Sequence, residues 1–133
     1  MKIAICSSMS FAKEMIKAKE EMIELGHEVI IQDDVELHAS GEIGDEDKWR
    51  KMEIDPFKVY FEEIKNADAI LVINLDKHGV ENYVGGNTLI EMAFAYVLDK
   101  KIFMMNPVPK LGYSDEIEAM RPVILNGDLN KII

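Results

Sequence analysis

Five short apolar runs, KIAIC, HEVIIQ, DAILVIN, KIFMMN and PVILNG, recur along the chain, separated by helical periodicity or by polar stretches. Each run is continuously apolar rather than alternating, as expected of strands covered by helices on both faces. Strand and helix alternate throughout, which predicts an α/β fold: one doubly wound parallel sheet of about five strands, of the flavodoxin or Rossmann kind. With 133 residues, 48% of them hydrophobic, residues 1–133 suffice for one packed core and are too few for two ordinary domains. A sheet order 2-1-3-4-5 places ligands beyond the carboxyl ends of strands one and three. SSMS at 7–10 and GGNT at 85–88 then become neighbours.

Local signals fill in the elements between. Ala12, Met15, Ile16, Met22 and Ile23 follow helical spacing, and Gly26 closes that helix as its C′ residue. The polar, glycine-spaced stretch DDVELHASGEIGDEDKWRKME reads as a long loop or lid. Asp55 before Pro56 is an N-cap followed by proline at N1, opening a helix with Phe57, Tyr60, Phe61 and Ile64 on one face. LDKHGVENYVGG is a second long loop, and Ser114 caps a short helix through Met120.

Charge narrows the classes of partner. Fifteen Lys and Arg against 25 Asp and Glu give a net charge of -10, which repels nucleic acid and anionic membranes, so an anion must be held by local geometry. Cys6 is alone within a strand-like run and builds neither a disulfide framework nor a cysteine zinc site. No signal core is present and no run approaches the roughly 20 apolar residues of a membrane span. The expectation is a soluble cytoplasmic protein.

Two constellations carry chemistry. In SSMS, Ser7, Ser8, Met9 and Ser10 bring hydroxyls and backbone N–H groups to a helix N-terminus, where a phosphate fits; the alternative is that Ser10 caps the helix and the others fill a turn. Neither GxGxxG nor a Walker lysine motif is present. The second constellation is GGNTLIEMAFAYVL at 85–98, in which Glu91 is the single charge. TLIE has the form of a capping box, with Thr88 as N-cap and Glu91 reaching back. A carboxylate there also faces the ligand crevice, where it can attack a sugar carbon, and Gly85 and Gly86 let a substrate approach the backbone.

Other polar residues are weaker candidates. Asp33 and Asp34 follow the second strand, where ribose-binding acids lie. Asp68 opens the third strand at the end away from the crevice and reads as structural. His27, His38 and His78 have no metal-ligand spacing, and His78 is the best placed for acid-base work. Met104 and Met105 read as core. The helix at 89–98 is apolar all round, which predicts that a second copy covers one face in a homodimer.

KIAICSSMS, NADAILVIN, NTLIEMAFA and KKIFMMNP together resemble the nucleoside 2-deoxyribosyltransferase superfamily, which includes the 2′-deoxynucleoside 5′-phosphate N-hydrolases. The resemblance implies a small doubly wound fold, usually dimeric, with a hydroxyl-rich phosphate loop in SSMS and a nucleophilic glutamate at Glu91. Thr88 matches a small or hydroxyl residue of that motif, and Ala93 and Ala95 match its small positions. These hydrolases usually carry an aspartate on the helix before the central strand; counting back from Asp68, that position here holds Tyr60. LDKHGVENYVGG also exceeds the family's usual length.

The expected function is cleavage of the N-glycosidic bond of a (deoxy)nucleoside 5′-monophosphate, with water or a second base as acceptor and no metal or organic cofactor. Glu91 is the expected nucleophile; Ser8 and Ser10 hold the phosphate, Asn87 and Thr88 orient sugar or carboxylate, and the polar loop at 34–49 closes over the base. The alternatives are a nucleotide sensor of the same fold, which Tyr60 favours, and a dimeric scaffold without a small ligand.

Overall fold

The structure is a computed structural model that describes residues 1–32, 35–41 and 56–133. Its strands are β1 (Lys2–Ser7), β2 (Glu28–Ile30), β3 (Ala69–Ile73), β4 (Lys101–Met104) and β5 (Val123–Ile124), all parallel in the order β2-β1-β3-β4-β5. The helices are α1 (Ala12–Glu24), α2 (Val35–Ser40), α3 (Pro56–Lys65), α4 (Gly86–Val97) and α5 (Ser114–Ala119). Short 3-10 turns lie at Met9–Phe11 and Leu129–Lys131. No described helix is long and apolar enough to cross a membrane.

Successive strand residues point to opposite faces, and both faces are covered. Ile3, Ile5, Leu71 and Phe103 pack with Met15, Ala18 and Met22 of α1, while Ala4, Cys6, Ile70, Val72 and Met104 pack with Tyr60 and Ile64 of α3 and Met92 of α4. This two-sided burial is why the strand sequences are continuously apolar. The outer strands are shorter than their apolar runs: HEVIIQ contributes three paired residues and PVILNG two.

Helix ends show where local chemistry decided and where it did not. Gly26, at φ +94°, ends α1 in a Schellman motif, its N–H bonded to Ile23 O and that of His27 to Met22 O, both at 3.0 Å. Asp68 is structural: its carboxylate accepts from Lys2 N at 2.8 Å and its N–H donates to Lys2 O at 2.7 Å, joining β1 and β3 at the amino edge. Ser114 does not cap α5, because its hydroxyl closes the preceding turn on Pro109 O, Leu111 O and Leu111 N. Phe57 and Ile23 are exposed rather than in the core. Residues 35–40 of the expected lid form α2, and Asp55 lies outside the described residues.

Candidate functional site

The carboxyl edge of β1 is closed by its own serine. Ser7 pairs with Ile73 in the β1–β3 register, and its hydroxyl donates to Ile73 O at 2.8 Å, so this side chain is committed to the sheet. Beyond it the chain turns at Ser8, whose extended backbone makes it the N-cap of the Met9–Phe11 turn, its Oγ accepting from Ser10 N at 3.4 Å. Ser10 is therefore not the cap; Ser8 takes that role because the helix begins with a 3-10 turn. The Ser10 hydroxyl lies 2.7 Å from Ser8 Oγ, and the Met9 side chain packs against the core. Lys77 completes the cluster from the loop after β3, donating from Nζ to Ser8 Oγ at 2.9 Å.

That loop is built rather than loose. Asn74, wholly buried, donates to Asn106 O at 2.9 Å and Pro107 O at 3.1 Å and accepts from Asn106 N at 3.0 Å, fastening the ends of β3 and β4 together. Lys77 and Val80 exchange backbone hydrogen bonds of 3.0 and 2.9 Å around His78 and Gly79, at φ 53° and 72°, the positive pair that a tight hairpin turn demands. Asp76 Oδ1 accepts from Asn82 N at 3.0 Å, and Tyr83 N returns to Leu75 O at 2.8 Å.

Gly85 is the N-cap of α4, without a side-chain cap, and Thr88 lies within the first helical turn. The expected capping box does not form: the helix already starts at Gly86, two residues ahead of Thr88, and Thr88, 3% exposed, is turned inward. Gly86 and Asn87 are exposed, whereas an added Cβ at Gly85 would stand 3.4 Å from the Tyr83 ring. Glu91 follows in the second turn, on the face toward the sheet, and is 4% exposed. Gln32, just past β2, donates from Nε2 to Glu91 Oε2 at 3.0 Å.

Two titratable side chains stand beside Glu91. Burial first, and the Glu91 carboxylate second, push the Cys6 thiol well above its usual range. Burial also pushes the Tyr60 phenol well up, with Cys6, Glu91 and Glu63 adding to it. Both groups therefore stay protonated beside the carboxylate at neutral pH. The Tyr60 hydroxyl is bonded to Ile5 O and, at 3.3 Å, to Ile30 O, which ties β1 to β2.

Of the remaining candidates, His27 sits at the opposite edge, its Nδ1 3.1 Å from the N-terminal amine, and His78 stands edge-on to Tyr83 at 5.4 Å. Asp33, Asp34 and most of the expected lid over the base lie outside the described residues, as does the side chain of His38. The structure thus gathers Glu91 with Gln32, and Ser8 with Ser10 and Lys77. Gln32 and Lys77 escaped the motif reading, although each follows a strand at its carboxyl end, where ligands of such sheets bind.

No protein-family model matches the chain, and no match to a curated protein was found. Among solved structures, the CMP N-glycosidase BcmB of Clostridium botulinum has a similar fold, with a TM-score of 0.50, 15% sequence identity, and coverage of 95% of this chain and 90% of that one.

Proposed function

We propose that the protein cleaves the N-glycosidic bond of a (deoxy)nucleoside 5′-monophosphate, by hydrolysis or base transfer, with Glu91 as nucleophile. The observation that carries this reading is a buried carboxylate at the carboxyl edge of a doubly wound sheet, oriented by the Gln32 amide. A fold like that of a CMP N-glycosidase supports it, as does the resemblance to the nucleoside 2-deoxyribosyltransferase superfamily.

Attack by a Glu91 oxygen forms a bond to the sugar C1′ as the C1′–N bond breaks, its electron pair leaving with the base, which takes up a proton. Water, losing a proton, or a second base then displaces the carboxylate from C1′. The protonated Cys6 and Tyr60 keep further negative charge away from Glu91. Ser8 and Ser10, with the backbone of 7–10, hold the phosphate; Gly85, Gly86 and Asn87 line the approach of the sugar, and Thr88 seats the helix beneath it. The reaction needs no cofactor. The working form is a cytoplasmic homodimer, with the exposed apolar side chains of α4 at the interface.

One observation favours a non-catalytic sensor instead. Tyr60 stands where related hydrolases usually carry an aspartate, and its hydroxyl is bonded to two backbone carbonyls. Incubation with a panel of ribo- and deoxyribonucleoside 5′-monophosphates, followed by chromatography for free base, separates the readings. Released base supports the enzyme; thermal stabilisation by a nucleotide without release supports the sensor.

A further inference from the structure

We infer that Lys77 reads the charge of the 5′-phosphate and so makes the protein select a nucleoside monophosphate over its nucleoside, an assignment that rests on the nucleotide reading above. The ammonium group reaches across from the loop after β3 to a hydroxyl of the loop after β1, at 2.9 Å, and that hydroxyl lies 2.7 Å from the next. One cation and two hydroxyls thereby converge from loops 69 residues apart in sequence.

In a chain with 25 acidic residues a lysine has abundant carboxylates to pair with, yet among the described residues Lys77 pairs with none. Its neighbour Asp76 is engaged with the backbone of Asn82. The hairpin exchange between Lys77 and Val80 fixes the backbone from which the ammonium extends. A lysine ammonium offers three donors and each hydroxyl one more, which matches an oxyanion with several acceptor oxygens and has nothing comparable to offer a neutral 5′-hydroxyl. The net charge of -10 repels a phosphate dianion, and a local cation offsets that repulsion where the hydroxyls act.

The test compares each common nucleoside 5′-monophosphate with its own nucleoside, by calorimetric binding and by base release, on the wild type, Lys77→Met and Lys77→Arg. The wild type is expected to prefer the monophosphate, Lys77→Met to lose about 10- to 100-fold of that preference, and Lys77→Arg to keep most of it. Nucleoside binding should be the same in all three, and the preference should shrink as salt is raised. A preference fully retained in Lys77→Met, or absent from the wild type, overturns the assignment. Loss of base release from every substrate, with the binding preference intact and sensitive to Lys77, would instead overturn the catalytic reading and leave this one standing.

Discussion

Gln32 Nε2 donates to Glu91 Oε2 at 3.0 Å, joining the end of β2 to the second turn of α4 across the head of β1. A neutral amide that donates to a buried carboxylate fixes one of its oxygens. Glu91→Gln preserves shape and removes charge from a buried site, so the melting temperature should stay within a few degrees, corresponding to about 1 kcal/mol or less, while base release falls by orders of magnitude. Gln32→Leu should lower kcat roughly tenfold with a smaller change in KM, and Gln32→Asn should restore part of it. Unchanged turnover in Glu91→Gln would remove Glu91 from the chemistry.

Alkaline pH should destabilise the fold through Cys6 and Tyr60. Both groups have folded-state pKa values raised above their ordinary values of 9.0 and 10.0, so their contribution is complete below pH 9 and is lost as pH rises through and beyond it. Melting temperature measured across that range should fall, and the fall should be shallower in Cys6→Ala and in Tyr60→Phe, whatever their absolute stabilities. Parallel slopes in wild type and both variants would contradict the assignment.

Assembly should depend on the outer face of α4. Ile90, Tyr96 and Val97 are 41%, 50% and 78% exposed, whereas Phe94 is half-buried, packed edge-on against Phe61 at 5.2 Å and against the protomer's own core. The protein should sediment as a dimer or larger at micromolar concentration. Val97→Asp should yield folded monomer, since a residue so exposed contributes little to the protomer itself. A wild type that sediments as a stable monomer refutes the homodimer.

Asn74 should matter out of proportion to its size. Asn74→Ala leaves the Asn106 N–H and the carbonyls of Asn82, Asn106 and Pro107 without this partner, at a cost of about 2–3 kcal/mol, or about 6–12 °C in melting temperature. Because the loop leaving Asn74 carries Lys77, the variant should also bind monophosphate more weakly at temperatures where it remains folded. Full stability in Asn74→Ala, measured by thermal unfolding, would show that the carbonyls find other donors.

The framework was legible because burial writes itself into composition: continuous apolar runs announced strands covered on both faces, and their alternation with helices predicted one doubly wound parallel sheet, whose order in the structure is β2-β1-β3-β4-β5. Glu91 was legible as the lone charge in an apolar helix. The cap was misread because TLIE satisfies the local pattern while GGN lets the helix start earlier, at Gly86, which only the surrounding chain decides. Gln32 and Lys77 were illegible for a different reason. A single polar residue on a loop has no periodicity, and its meaning comes from which distant segment the topology sets beside it.

That distance has a kinetic side. The Gln32–Glu91 contact spans 59 positions and the Ser8–Lys77 contact 69, so neither exists in a partly condensed chain whose helices have formed but whose parallel strands have not yet met. Loops of this length are closed late, and parallel pairing offers no short hairpin to nucleate them. During refolding, helical signal should therefore return before nucleotide binding does, and ligand capture serves as the reporter of the last topological step.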